Sequence, residues 1–322
     1  MKFLVIVLCL LLNHHWRKER WLPGDRWYLI FQQWLQSRLD NFAWYKNLSV
    51  RQGQRLLCAL LLLLPVTLLW VLLWLLQGQL LGLVTLALHV GVLLLLLERN
   101  NMVELSRDYL QYWREAQYET AYKLLETRAP EYMQGDFEDS TQVHQHYCTI
   151  MLGSYFDKVF VLLFWYLLLG PAAALLCALV RLYLNAGANS RVSGSWQDEN
   201  DASGLMSGLL FIIEYLPARI LVLTFALVAN FSGPFKLLRA HVLDTLPGFE
   251  LVRRSAFAAI SESGIRTEDD VDLEMQVSRQ VEPTALAAVR EVEDLQVLML
   301  RSQIIWVCAL ALVIVLGIGA NF

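Results

Sequence analysis

An otherwise apolar stretch of the sequence carries two ionisable residues, Glu214 and Arg219, with Pro217 between them. An ionised side chain in the middle of a bilayer costs on the order of 2.5–3.5 kcal/mol on insertion scales, so such residues pair or line polar cavities. Pro217 also leaves a backbone carbonyl of the preceding turn without its helical donor. The pattern predicts a polar intramembrane pocket in which the Arg219 guanidinium binds an anion. An internal Glu214–Arg219 ion pair that holds the helices together is an equally good interpretation.

A second polar cluster, Glu104, Arg107 and Asp108, follows directly after an apolar segment. A guanidinium suits phosphate and a carboxylate suits magnesium, so Arg107 and Asp108 could hold a phosphate together with its metal ion. A solvated helix face with local ion pairs explains the same residues and is favoured. Asp157 and Lys158 form a further charged pair at the mouth of the next apolar segment, where charges mark the membrane interface.

The histidines form no recognised metal site. His144 and His146 lie two residues apart and His14 precedes His15, but neither pair has a cysteine or carboxylate at a spacing typical of zinc sites. We therefore expect exposed histidines in a polar connector and predict no metal site. The sequence also has no Walker A, G-x-G-x-x-G, G-x-S-x-G or H-E-x-x-H motif, so it gives no signal for the corresponding nucleotide-binding and hydrolase classes.

The elements that must position these residues are membrane helices. Of the 322 residues, 57% are hydrophobic and 17% are charged, against about 45–50% and about 25% in soluble domains. A bilayer core about 30 Å thick needs about 20 mainly apolar residues in a helix. Apolar or transmembrane segments are predicted at about residues 3–12, 56–76, 80–97, 160–182, 209–231 and 304–320. The first is short, and we expect a signal anchor or a shallow, partly inserted helix.

Three longer, more polar segments, at about 21–55, 99–158 and 235–302, show helical periodicity. In the first, Trp27, Ile30, Phe31, Trp34 and Leu35 are spaced as on an amphipathic interfacial helix. Most of the 26 Lys and Arg residues lie in these three segments, which the positive-inside rule places in the cytoplasm. The turn at 77–79, the loop at 185–203 and the C-terminus are then external. The predicted fold is an all-α, polytopic transmembrane helical bundle with cytoplasmic helical segments, in one membrane domain over 1–322.

Three stretches occur in a characteristic order: Leu105–Tyr122, Tyr155–Ala174 and Tyr215–Arg219. In this order they resemble the CobD/CbiB-like membrane family, and within it the AmpE type of inner-membrane protein associated with β-lactamase regulation. CbiB-type members are enzymes of cobalamin synthesis that join an aminopropanol phosphate to a corrinoid carboxylate through an amide bond, using ATP. Their Arg-Asp pair is matched here by Arg107 and Asp108, and their Pro-Ala-Arg by Pro217 to Arg219.

The chain departs from the enzyme pattern in one place. The family has an Asn-x-x-Asp-x-x-x-Gly stretch after the Phe-Trp-containing helix, whereas this chain has Asn185 and no acidic residue until Asp198. The departure favours the AmpE type. The resemblance then implies a bacterial inner-membrane regulatory or signalling protein linked to β-lactamase induction, antibiotic response and cell-wall recycling, without enzymatic activity. The alternative is a CbiB-like ATP-dependent amide-forming enzyme.

The expected partners follow from these two interpretations. They are membrane lipid, a cell-wall-derived or nucleotide ligand, and a protein of peptidoglycan recycling. A regulatory protein needs no cofactor, whereas the enzyme would use ATP and Mg²⁺. The net charge of -4 gives no indication of a nucleic-acid partner.

Overall fold

The computed structural model describes residues 2–15, 26–42, 45, 48–76, 83–97, 101–128, 139–192, 201–229, 231–241, 246–262 and 283–315. Within these ranges every regular element is a helix and no strand occurs, which confirms the predicted all-α class. The predicted turn at 77–79, residues 193–200 of the predicted external loop and the end of the segment 304–320 lie outside the described residues.

The helices are named here in chain order. They are α1 Lys2–His15, α2 Arg26–Leu39, α3 Val50–Leu75, α4 Leu83–Leu96, α5 Asn101–Arg114, α6 Tyr118–Arg128, α7 Ser140–Tyr155, α8 Leu162–Leu169, α9 Pro171–Val192, α10 Asp201–Val228, α11 Ser232–Ala240, α12 Gly248–Glu262 and α13 Pro283–Val315. A π-helical turn, Phe156–Val161, joins α7 to α8. The chain divides into two compact units: unit 1 is Met1–Arg99 with Lys158–Ile213 and Phe322, and unit 2 is Asn100–Asp157 with Glu214–Asn321.

Three helices of the described chain are long and apolar enough to cross a membrane: Gln52–Leu75, Ser140–Leu169 and Gly204–Val228. Val84–Leu96 and Pro171–Ala186 are shorter apolar helices. The predicted segments 56–76 and 209–231 thus coincide with two of the long helices, whereas 80–97 is one of the shorter ones. Residues 304–315 form the apolar end of α13.

The surface of α3 is strongly apolar. Its exposed large apolar side chains are Leu63, Leu64, Leu68, Trp70, Val71, Leu72, Trp74 and Leu75. Soluble proteins rarely expose a contiguous apolar surface of this extent, because water contact with it is unfavourable. These side chains therefore support the assignment of α3 as a membrane helix.

The predicted single segment 160–182 differs from the structure. Gly170 has φ 92° and ψ -171°, a conformation open almost only to glycine, and it ends α8. Pro171 then begins α9, because proline at the first helical position loses no helical hydrogen bond. Residues 160–169 instead continue from α7 through the π-helical turn.

In unit 1, α2 packs against α3. Leu35 and Leu39 of α2 form a buried cluster with Leu57 and Leu61 of α3. The predicted amphipathic helix is confirmed over Arg26–Leu39, and Ile30 (66% exposed) and Trp34 (50% exposed) point away from this core. An exposed face of this kind suits the headgroup region of a bilayer.

In unit 2, α13 packs against α5, α7 and α12. Residues 101–128 of the predicted helical segment 99–158 form two helices, α5 and α6, because Ala116 adopts a positive φ of 56° between them. Within the predicted helical segment 235–302, α12 begins at Gly248 and α13 at Pro283.

Candidate functional site

Pro217 lies inside α10, and the carbonyl that it leaves without a helical donor has a partner. That carbonyl belongs to Ile213, four residues earlier, and the indole Nε1 of Trp165 donates to it at 3.0 Å. The predicted need for such a partner is therefore met inside unit 1 by a side chain that the sequence did not indicate.

Arg219 links two parts of unit 2. Its Nη1 donates to the carbonyl of Tyr215 at 3.0 Å, and its Nη2 donates to the carbonyl of His241 at 3.3 Å. The guanidinium carbon also lies 3.3 Å from the centre of the Tyr215 ring, a cation–π contact. Arg219 thus connects α10 to His241, the residue that follows α11. Neither the predicted anion pocket nor the predicted ion pair with Glu214 includes these contacts.

Glu214 is buried, with 6% of its surface exposed. A Cβ placed on Gly248 would lie 2.9 Å from the Glu214 Cβ and 3.0 Å from its carbonyl oxygen. Only glycine therefore allows α12 to begin this close to α10 in unit 2. The anion pocket of Glu214, Pro217 and Arg219 stays a prediction.

The other predicted polar residues that the structure describes lie on α5 or in the π-helical turn. Arg107 is exposed, and Asp108 lies 4.0 Å from Arg128 of α6, as expected for a solvated face with local ion pairs. The side chain of Glu104 lies outside the described residues. Asp157 and Lys158 are both half-buried within the π-helical turn. Turns of this kind are frequent at functional sites.

A buried polar cluster of unit 2 centres on His144, which contradicts the expectation of an exposed histidine in a connector. His144 lies inside α7 and is only 5% exposed. Its Nδ1 is 3.3 Å from the Tyr109 hydroxyl, and its Nε2 is 3.1 Å from a carboxylate oxygen of Glu291. The Cys148 sulfur is 3.6 Å from the same Nε2.

Aromatic rings enclose this cluster. Tyr109 and Tyr147 are fully buried and stack with ring centres 3.9 Å apart, and the Trp113 ring lies 5.1 Å from the imidazole. Burial raises the pKa of Tyr109, so its phenol keeps its proton at neutral pH. The hydroxyl can therefore donate to Nδ1 or accept from it, according to the imidazole tautomer.

Three helices contribute side chains to the cluster. His144 and Cys148 are four residues apart and so project from the same face of α7. Tyr109 comes from α5 and Glu291 from α13. These two helices pack against each other in unit 2, and α13 also packs against α7. Further along α13 from Glu291, Gln296 donates a hydrogen bond to Ser106 of α5. Gln303 accepts one from the Tyr155 hydroxyl of α7.

The sequence contains a partial signal for this site. A His-x-x-x-Cys pair on one helix face is readable once residues 140–155 are recognised as a helix. Glu291 lies 147 residues from His144, and no local pattern joins them. The cluster was missed because the segment was interpreted as a connector.

The arrangement permits two kinds of chemistry. As a hydrogen-bonded chain, Tyr109, His144 and Glu291 can share and move a proton, with the imidazole between phenol and carboxylate. As a donor set, the imidazole, thiol and carboxylate atoms all lie within 4.8 Å of one another and could hold a metal ion. No protein-family model, curated protein or solved structure matches this chain.

Proposed function

We propose that this chain is a regulatory membrane protein of the AmpE type, in the bacterial inner membrane, whose signal arises at the His144 cluster. The supporting observation is the continuity of α13. One helix carries Glu291 at the cluster and, about 22 Å further along at 1.5 Å per residue, Trp306 against a candidate membrane helix. The Trp306 indole donates to the Thr224 hydroxyl of α10 at 3.1 Å.

A change at the cluster would travel along this helix. A ligand bound at the cluster alters the hydrogen bond between His144 and Glu291 and so favours one position of α13. Glu291 and Trp306 belong to the same helix, so a shift of α13 also moves Trp306 and changes its hydrogen bond with Thr224. Coupling of this kind needs two positions with different affinities for the ligand.

The resemblance suggests the ligand and the partner. A cell-wall-derived fragment or a nucleotide would bind in the cytoplasm, and a protein of peptidoglycan recycling would receive the signal. The basic residues favour the cytoplasmic side for 21–55, 99–158 and 235–302, and residues 140–158 are also the first part of the candidate membrane helix Ser140–Leu169. A reporter fused after Phe322 should then behave as external and one inserted at Gln134 as cytoplasmic; the opposite pattern would contradict this orientation.

Deletion and complementation test the regulatory function. The measurement is β-lactamase activity after β-lactam exposure, in an inducible host that lacks its own copy of this gene. We expect deletion to change induction and the wild-type chain to restore it, with equal membrane levels verified by immunoblot. Unchanged induction on deletion would contradict the proposal. ATP-dependent amide formation by the purified chain would instead favour the CbiB-like enzyme.

A further inference from the structure

We propose that His144, Cys148 and Glu291 bind a divalent transition metal ion, and that Zn²⁺ fits the site best. The three donor atoms are the Nε2 of His144, the Sγ of Cys148 and a carboxylate oxygen of Glu291. They come from two helices of unit 2, α7 and α13, which pack against each other.

Two of the three separations between the donor atoms are close to those of a tetrahedral zinc site. Bond lengths of about 2.0–2.2 Å to nitrogen and oxygen and about 2.3 Å to sulfur imply donor–donor separations of roughly 3.3–3.6 Å. The nitrogen-to-oxygen separation is 3.1 Å and the nitrogen-to-sulfur separation is 3.6 Å. The sulfur and the carboxylate oxygen lie within 4.8 Å of each other, so binding an ion requires side-chain adjustments that bring these two donors together.

The chemistry of the donors selects the metal. A thiolate, an imidazole and a carboxylate form a mixed set that suits Zn²⁺, whereas Mg²⁺ and Ca²⁺ prefer oxygen donors alone. One thiolate and one carboxylate together carry two negative charges. They neutralise a divalent cation, so the loaded site has no net charge to desolvate among buried aromatic rings.

Tyr109 provides the outer hydrogen bond that metal-binding histidines require. When Nε2 binds a metal, the remaining imidazole proton is on Nδ1 and needs an acceptor, which fixes the ring orientation. The Tyr109 oxygen is 3.3 Å from Nδ1 and can accept that proton. The phenol is fully buried, so water does not compete for the hydrogen bond.

The exposure of the ligands shows how an ion reaches the site, and their number shows how many coordination positions stay open. The side chain of His144 is 6% exposed, whereas that of Glu291 is 35% exposed, so the ion enters from the Glu291 side. Three protein donors leave one tetrahedral position for an exchangeable ligand, as in zinc sites that react or sense rather than only stabilise. The metal site stands on this geometry and does not depend on a role in β-lactamase induction.

Direct metal analysis tests the proposal on the full-length chain in detergent. The protein is stripped with a chelator and reloaded with Zn²⁺, and bound metal is measured by mass spectrometry. In a parallel titration, Co²⁺ reports a thiolate ligand through its charge-transfer absorption. We expect one metal per chain and a charge-transfer band in the wild type. Absence of both from the folded wild-type chain would overturn the proposal.

Substitutions identify the ligands. Cys148→Ser should abolish the charge-transfer band while its melting temperature in chelator matches that of the wild type. Cys308→Ser, which removes an exposed thiol on α13, and Glu293→Gln, which removes a neighbouring carboxylate bonded to Arg114, should retain the band. Tyr109→Phe should weaken Zn²⁺ binding by about 10–100-fold. Retention of the band in Cys148→Ser, or its loss in Cys308→Ser, would overturn the assignment.

Discussion

The indole nitrogen of Trp165 donates a hydrogen bond to the carbonyl oxygen of Ile213 at 3.0 Å. Pro217, four residues along the same helix, cannot donate to that carbonyl because it has no backbone N–H. Trp165 therefore supplies the hydrogen-bond donor that the Ile213 carbonyl lacks. Both residues belong to unit 1.

Trp165→Phe should leave the Ile213 carbonyl without a donor and lower the free energy of unfolding by about 1–3 kcal/mol. Pro217→Ala provides the missing backbone donor, so the same change in that background should cost less. A double-mutant cycle of detergent-induced unfolding measures the difference. Equal costs in both backgrounds would show that Trp165 does not serve this carbonyl.

Gly248→Ala should destabilise unit 2 because its Cβ would press on the backbone oxygen of Glu214 at 3.0 Å. Overpacking at such a contact costs about 1–3 kcal/mol. Gly208→Ala on α10 is the matched control, since nothing lies within 4 Å of its Cβ. The measurement is the thermal midpoint in detergent, and equal midpoints for the two variants would refute the close approach.

Gly170→Ala should lower the free energy of unfolding by about 1–3 kcal/mol, because alanine cannot adopt φ 92° and ψ -171° without strain. Gly91→Ala within α4 has open space at its Cβ and should be neutral or stabilising, by up to about 1 kcal/mol. Chemical denaturation of the two variants tests this. A harmless Gly170→Ala would mean that α8 and α9 join differently.

The sequence predicted the helical class and most helix positions because hydrophobic periodicity is a local property. Gly248 and Pro283 are local signals of another kind, and they stand at the starts of α12 and α13. The Gly170-Pro171 pair indicates a kink within the segment 160–182, but the sequence did not predict that the segment divides there into two helices, α8 and α9. It also missed the His144 cluster, because Glu291 meets His144 only through tertiary packing.

The surface group Glu250 should make stability depend on pH. Hydrogen bonds from Arg253 and then Arg254 lower its pKa from 4.5 to about 2. A lowered carboxyl pKa stabilises the folded state above the unfolded value of 4.5, and this contribution is lost as the pH falls towards about 2. Both arginines are partly solvent-exposed, so the contribution is at most about 1 kcal/mol.

Glu250→Gln isolates this contribution. Its thermal midpoint should lie below that of the wild type at neutral pH, and the gap should close in acid below the unfolded pKa of 4.5. Glu293→Gln is measured in parallel, because it also removes one carboxylate but leaves the contacts of Glu250 unchanged. A gap that persists unchanged in acid would show that the Glu250 carboxylate is not the stabilising group.

The most direct test of the regulatory account compares two histidines on α7. His144 is in the cluster with Tyr109 and Glu291, whereas His146 lies two residues further along the helix. The measurement is β-lactamase induction in the deletion host carrying His144→Gln or His146→Gln at equal membrane levels. We predict that His144→Gln reproduces the deletion and that His146→Gln behaves as the wild type. Normal induction with His144→Gln would contradict a signalling role for the cluster.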